Sequence, residues 1–134
     1  MARLVLDTNS LIQCVSHRSP YRDLWMSFQD GRNVLCVTTE IMCEYAEILQ
    51  RLTSEKFAEY VLSVITNNPY TLFVTPFYHF NLIQADPDDD KFVDCAVASN
   101  ARFIVTEDNH YNILKNTSFP TVNTISLDKA IQII

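Results

Sequence analysis

A short apolar run that stops at a carboxylate occurs near each end of the chain: Ala2-Arg3-Leu4-Val5-Leu6-Asp7, and Ala101-Arg102-Phe103-Ile104-Val105-Thr106-Glu107-Asp108. Runs this short, rich in β-branched and large aliphatic residues, read as strands buried on both faces of a parallel sheet. In open parallel sheets, ligand sites lie beyond the carboxyl ends of the strands. Asp7 and Asp108 are therefore expected on the same edge of one sheet, and the remaining acids can be judged by whether the fold brings them there.

Between these runs the pattern alternates. After the first strand at 2–6, Asn9 to Val15 reads as a short helix, Ser19-Pro20 as a break and Tyr21 to Gln29 as another helix. The Asp30-Gly31-Arg32-Asn33 turn leads to a strand over Val34 to Val37, then to a helix capped by Thr38 or Thr39 that ends near Leu52. A further helix begins at Thr53-Ser54 with Glu55 and stops at Asn67-Asn68-Pro69; Leu72 to Val74 is a strand, and Tyr78 to Ala85 carries no clear pattern. Asp86-Pro87 opens a helix to Ser99, Phe103 to Val105 is a strand and His110 to Leu114 a short helix; Thr121 to Ile125 and Ser126 to Ile133 supply a last strand and helix. This alternation specifies an α/β chain whose central, mainly parallel sheet is sandwiched between helices.

With 134 residues and 48% hydrophobic content, residues 1–134 are expected to form one domain around one core. No apolar stretch suits a membrane span and no leader pattern precedes the first strand, so a cytoplasmic protein with no membrane association is expected. Cys14, Cys36, Cys43 and Cys95 show no metal-ligand spacing and sit in apolar patterns, as reduced core residues do. The sole glycine, Gly31, excludes glycine-rich phosphate loops and dinucleotide fingerprints. Ten basic against sixteen acidic residues, a formal charge of −6, argue against binding nucleic acid by wrapping its phosphates, unless many of the acids gather where cations offset them.

Helical spacing ranks the acids. With about 100° per residue, Glu44 lies about 80° from the centre of the stripe Ile41, Tyr45, Ile48, Leu49 and Leu52, while Glu40 and Glu47 lie beyond about 110°. Glu44 thus borders the buried face. In Asp86-Pro87-Asp88-Asp89-Asp90, Asp86 suits an N-cap and Asp88 and Asp89 suit the first turn of a helix on capping and dipole grounds. Asp90 instead borders the stripe of Phe92, Val93, Ala96 and Val97, with Asp94 one turn along the same side. Carboxylates four residues apart repel unless something positive lies near them. A hard, oxygen-preferring cation, Mg²⁺ or Mn²⁺, suits such a set, whereas His17, His79 and His110 lack zinc-ligand spacing. His110, two residues after Asp108, is placed to reach the rim of the same cleft.

Asp7-Thr8-Asn9 after the first strand, Glu44 in a central helix, Asp90-Lys91-Phe92-Val93-Asp94-Cys95-Ala96 in a late helix and Val105-Thr106-Glu107-Asp108 closing a strand together resemble the PIN-domain nucleases, in particular their small prokaryotic toxins. The resemblance spans nearly the whole chain. It implies a three-layer α/β/α sandwich, a Mg²⁺- or Mn²⁺-dependent hydrolysis of single-stranded RNA to 5′-phosphate and 3′-hydroxyl ends, and an antitoxin partner. It assigns Asp7, Glu44, Asp90 and Asp108 as catalytic metal-binding acids, with Asp94 as an additional candidate, and Thr8, Asn9 and Thr106 as residues that support the ligands or hold substrate. The chain departs from small toxins of this type in being acid-rich.

Two other readings compete. Aspartyl phosphotransfer of the haloacid-dehalogenase kind also places an Asp after the first strand, but it usually has a second acid where this chain has Asn9, and it needs a lysine for the phosphate. A catalytically weak domain that binds RNA or an antitoxin is the alternative to the nuclease. Tyr21, Trp25 and Phe28, with Ala130-Ile131-Gln132-Ile133-Ile134, could supply a partner or homodimer surface, although core packing is the favoured reading for both.

Overall fold

The computed structural model describes residues 1–83, 87–116 and 120–134. Its elements run β1 (Ala2–Leu6), α1 (Thr8–Val15), α2 (Arg22–Gln29), β2 (Asn33–Val37), α3 (Thr39–Leu52), α4 (Glu55–Asn67), β3 (Thr71–Phe73), α5 (Asp90–Ser99), β4 (Phe103–Val105), β5 (Thr124–Ile125) and α6 (Leu127–Ile133). The strands form one sheet in the order β3-β2-β1-β4-β5, every pairing parallel. Register follows the echoed runs: Leu4, Val5 and Leu6 lie opposite Phe103, Ile104 and Val105. Leu4, Val5 and Leu6 are all fully buried, and since successive strand residues point to opposite faces, the sheet is covered on both sides. The result is the expected α/β sandwich.

The chain builds outward from β1 to β2 and β3, then returns to β1's other side for β4 and β5. β1 and β4 are therefore the neighbours between which the winding direction reverses, where open sheets leave a crevice at their carboxyl ends. Side-chain caps start the helices: Thr38 accepts from Ile41 N–H for α3, Ser54 from Phe57 N–H for α4 and Ser126 from Lys129 N–H for α6. At the end of α5, Asn100 adopts a left-handed conformation (φ 55°) and Ala101 N–H returns to Ala96 C=O at 2.9 Å, which turns the chain into β4.

Several expectations shift. The helix expected from Asp86 begins instead with a 3₁₀ turn, Pro87–Asp89, and α5 starts only at Asp90; the capping role read for Asp86 lies outside the described residues. The short helix expected over His110 to Leu114 is a 3₁₀ helix, Asn109–Asn116, and the last strand covers two residues of the five expected. Cys14, Cys36 and Cys95 are buried, but Cys43 is exposed because it lies two residues past Ile41, on the opposite side of α3. Trp25, Phe28 and Ala130 pack in the core, and Tyr21 closes α2 against α6 through a 2.8 Å hydrogen bond from its hydroxyl to Asp128. Among the described residues, no helix is long and apolar enough to cross a membrane.

Candidate active site

Asp7 is the residue after β1 and also the N-cap of α1, with Oδ1 accepting from Ser10 N–H at 2.8 Å. Its Oδ2 accepts from the hydroxyl of Thr106, the residue after β4, and the same hydroxyl oxygen accepts from Asp108 N–H at 3.0 Å. One threonine thus joins the two echoed strand ends. Asp7 and Thr106 are both buried. Burial pushes the Asp7 carboxyl above the ordinary aspartate range; donors from Thr106 and Ser10 pull it down, and the nearby Asp108 charge pushes it up again.

α3 is pinned to the same edge from above. The Tyr45 hydroxyl donates to Leu6 C=O at 2.6 Å, and burial holds that phenol far above its usual range, so it remains a donor. Glu44, its neighbour, is thereby fixed over the crevice, with Oε2 accepting from the Thr8 hydroxyl and Oε1 from Lys91 Nζ at 2.7 Å. Lys91 Nζ also donates to Asp88 C=O at 2.5 Å and lies 5.5 Å from the Phe92 ring centroid. Its side chain is only 9% exposed, so a nearly buried ammonium backs Glu44 from outside the cleft's lining.

Opposite Glu44 stand Asp89, Asp108 and His110. His110 Nδ1 is 3.3 Å from Asp108 Oδ1 and 3.6 Å from Asp89 Oδ2, while His110 N–H donates to Asp108 Oδ1 at 2.8 Å. One ligand atom from each of the three lies within 4.8 Å of the others, the sole such group of acidic, histidine or cysteine side chains among the described residues. Two carboxylates and one imidazole, with the Asp7 carboxylate lining the same cavity, are an oxygen-rich donor set that fits a divalent cation such as Mn²⁺ or Mg²⁺. The cavity holds about 310 Å³; its acidic lining is Asp7, Glu44, Asp88, Asp89 and Asp108, and Ile12, Ile48, Leu52 and Phe92 line it with apolar surface.

The structure brings Asp7, Glu44 and Asp108 together with Thr8 and Asn9, as the sequence led one to expect, and Thr106 directly behind them. Asp90 and Asp94 share a face of α5, also as expected, but that face meets the chain after β3. Asp90 Oδ1 accepts from Ile83 N–H at 2.7 Å, Asp94 Oδ1 from Phe80 N–H at 3.1 Å, and His79 Nδ1 lies 3.0 Å from Asp94 Oδ2. Backbone N–H groups donate to both carboxylates, and an imidazole lies against Asp94, so the two acids are held by the protein. Neither lines the cleft; Asp89 does, and sequence reasoning had assigned it to the helix start. Asp89 does stand at the start of α5, as read, and it lines the cleft from the 3₁₀ turn that precedes the helix. Lys91 and His110 stand beside lining acids, Lys91 against Glu44 and His110 against Asp89 and Asp108; His110 had been signalled by its spacing from Asp108, Lys91 by no pattern beyond its place in the motif.

A PIN domain family model matches residues 3–110. The chain also superposes on a chain of VapBC2 from Rickettsia felis bound to a DNA fragment from their promoter, with TM-score 0.64 and 13% identity over 92% of this chain and 98% of that one. A chain of DNA-bound VapBC from Salmonella typhimurium gives TM-score 0.62 and 15% identity over 95% and 99% of the two chains. The PIN domain endonuclease Utp24 gives 0.53 and 15%, over 92% and 84%. No curated protein matches the chain by sequence.

Proposed function

The chain belongs to the PIN domain family, and from that premise we propose that it is a cytoplasmic, Mg²⁺- or Mn²⁺-dependent endoribonuclease, one domain over residues 1–134, that serves as the toxin of a toxin–antitoxin pair. The observation that carries the reading is the convergence of Asp89, Asp108 and His110, with Asp7 lining the same cavity as the two aspartates at the crevice between β1 and β4. The likeness to the VapBC complexes supports the antitoxin partner, and the likeness to Utp24 supports nuclease chemistry.

Asp7, Asp89 and Asp108 would hold the cation, with His110 at its rim. Bound there, a divalent cation neutralises charge on the phosphate and makes water a competent nucleophile at neutral pH. Thr106 keeps the Asp7 carboxylate aimed into the cleft, and Thr8 does the same for Glu44. Lys91 offsets the charge of Glu44 through their 2.7 Å ion pair and holds that carboxylate in place. The apolar lining from Ile12, Ile48 and Leu52 suits the sugar and base of a single strand. Hydrolysis adds water across one P–O bond, leaving a 5′-phosphate and a 3′-hydroxyl. The acid-rich composition is compatible with this work: five of the sixteen acids line the cleft, and elsewhere ten basic residues face eleven acidic ones.

The test is cleavage of a single-stranded RNA oligonucleotide by purified protein with Mn²⁺ or Mg²⁺. Chelation should abolish cleavage, and Asp7→Asn should lower it by more than about 100-fold while the circular dichroism spectrum is unchanged. Equal cleavage by the variant refutes the reading; metal binding with RNA retention but no cleavage points to the binding module instead.

A further inference from the structure

We infer that a second cavity, on the far side of the Glu44–Lys91 pair from the acidic cleft, is a guanine-binding subsite that seats a base of the RNA strand lying in the cleft. The inference deepens the nuclease reading above and rests on it for the strand's path. The cavity holds about 220 Å³; Thr38 and Val74, the residues after β2 and β3, place it on the same sheet edge, and Glu40, Pro76, His79 and Lys91 also line it. Glu44 lines the cleft and Lys91 the cavity, and their 2.7 Å ion pair is the partition between the two. A strand in the cleft therefore has only this pair to cross.

The groups in this cavity suit a base better than a phosphate. Glu44 offsets the Lys91 charge, and Asp94, which also lines the cavity, is held by Phe80 N–H at 3.1 Å and by His79 Nδ1 at 3.0 Å. The charge left over is the exposed carboxylate of Glu40, which repels a phosphate and accepts N–H groups. Among the described residues, Glu44 and the Asp88 carbonyl take two of the three N–H groups of Lys91, which leaves one for an acceptor in the cavity. An acceptor beside two adjacent donors is the edge of guanine, O6 with N1–H and N2–H₂, and no other RNA base offers two adjacent donor groups to one carboxylate. Rings stand at the rim. Asp94 fixes the His79 imidazole, whose side chain is 67% exposed, and Phe77 and Tyr78, between the lining residues Pro76 and His79, are 91% and 74% exposed. Aromatic and imidazole faces stack on unpaired bases of single-stranded RNA. Rings beside a polar cavity of one-base size fit RNA better than a protein partner, which typically covers about 800 Å² of each surface.

The experiment titrates the full chain, without metal, with guanosine, inosine, adenosine and uridine, following the Thr39 and Glu40 amides and the His79 ring by nuclear magnetic resonance. Guanosine should bind at least about fivefold more tightly than inosine, which lacks only the N2 amino group, and than the other two. Glu40→Ala, shown to be folded by circular dichroism, should bring guanosine and inosine to equal affinity. His79→Ala and the double variant Phe77→Ala/Tyr78→Ala should each weaken guanosine by about fivefold or more. No shift with guanosine, equal affinity for all four nucleosides, or a guanosine preference that survives Glu40→Ala would overturn the inference. Undiminished guanosine binding by both ring variants would overturn it as well and leave the rings to a protein partner. RNA cleavage with Mn²⁺ separates the two claims: guanosine preference without cleavage leaves the subsite standing and removes the nuclease reading, while cleavage without guanosine preference does the reverse.

Discussion

Thr106→Val deletes one hydroxyl and preserves shape, and it tests the joint between the two strand ends. The lost group donates to Asp7 Oδ2 and accepts from Asp108 N–H at 3.0 Å. Because Asp7 and Thr106 are both buried, water cannot fully replace either bond. A hydrogen bond to a charged group contributes about 1.5–3 kcal/mol and an ordinary one about 0.5–1.5 kcal/mol. The variant should therefore lose about 2–4 kcal/mol in the metal-free state at neutral pH. Folding free energies are typically about 5–15 kcal/mol, so this is a large share, and it corresponds to a fall in Tm on the order of 10 °C. Urea unfolding with chelator present measures it, with the loss shrinking at acid pH, where Asp7 is protonated and the charge-assisted part disappears. A change below about 0.5 kcal/mol at neutral pH would mean that the hydroxyl does not hold Asp7 and that the strand ends are not coupled as described.

Two further outcomes are expected. The folded-state pKa of Asp7 is raised chiefly by burial, so the native metal-free chain holds this proton more firmly than the unfolded chain; the stability it contributes is full below the unfolded value near 3.8 and is lost as pH rises through the raised value. Mn²⁺ favours the ionised form, so the Tm gained on adding Mn²⁺ should grow with pH across that window, and a pH-independent gain would exclude Asp7 as a ligand. Asp94→Ala should cost about 1–3 kcal/mol and raise hydrogen exchange at the Phe80 amide while leaving the Asp7 amide protected, since Asp94 holds the 79–80 segment and not the cleft.

The sheet's centre was readable because β1 and β4 are buried on both faces, so their apolar runs carry no competing period. Glu44 was readable because Ile41, Tyr45 and Leu49 do form the buried stripe of one regular helix, although Ile48 and Leu52 line the cleft rather than the core. Asp89 was not, because capping and dipole preference already account for an acid at a helix start, and nothing in the sequence marks one that also lines a cleft. For Asp90 and Asp94 the shared face was right, but their partners come from Ile83, Phe80 and His79, on a segment whose sequence has no periodicity to place it. Lys91 needed Glu44 in three dimensions: the two are 47 residues apart, and only the packing of α3 near α5 brings them to 2.7 Å.

The most direct test of the cleft is the affinity of Asp89→Asn for Mn²⁺ set beside that of Asp90→Asn, by calorimetric titration of folded protein. Loss of at least about tenfold in Asp89→Asn, with Asp90→Asn close to the unmodified chain, is the expected result. Unchanged affinity in Asp89→Asn together with a tenfold loss in Asp90→Asn would contradict the site as assembled from Asp7, Asp89 and Asp108.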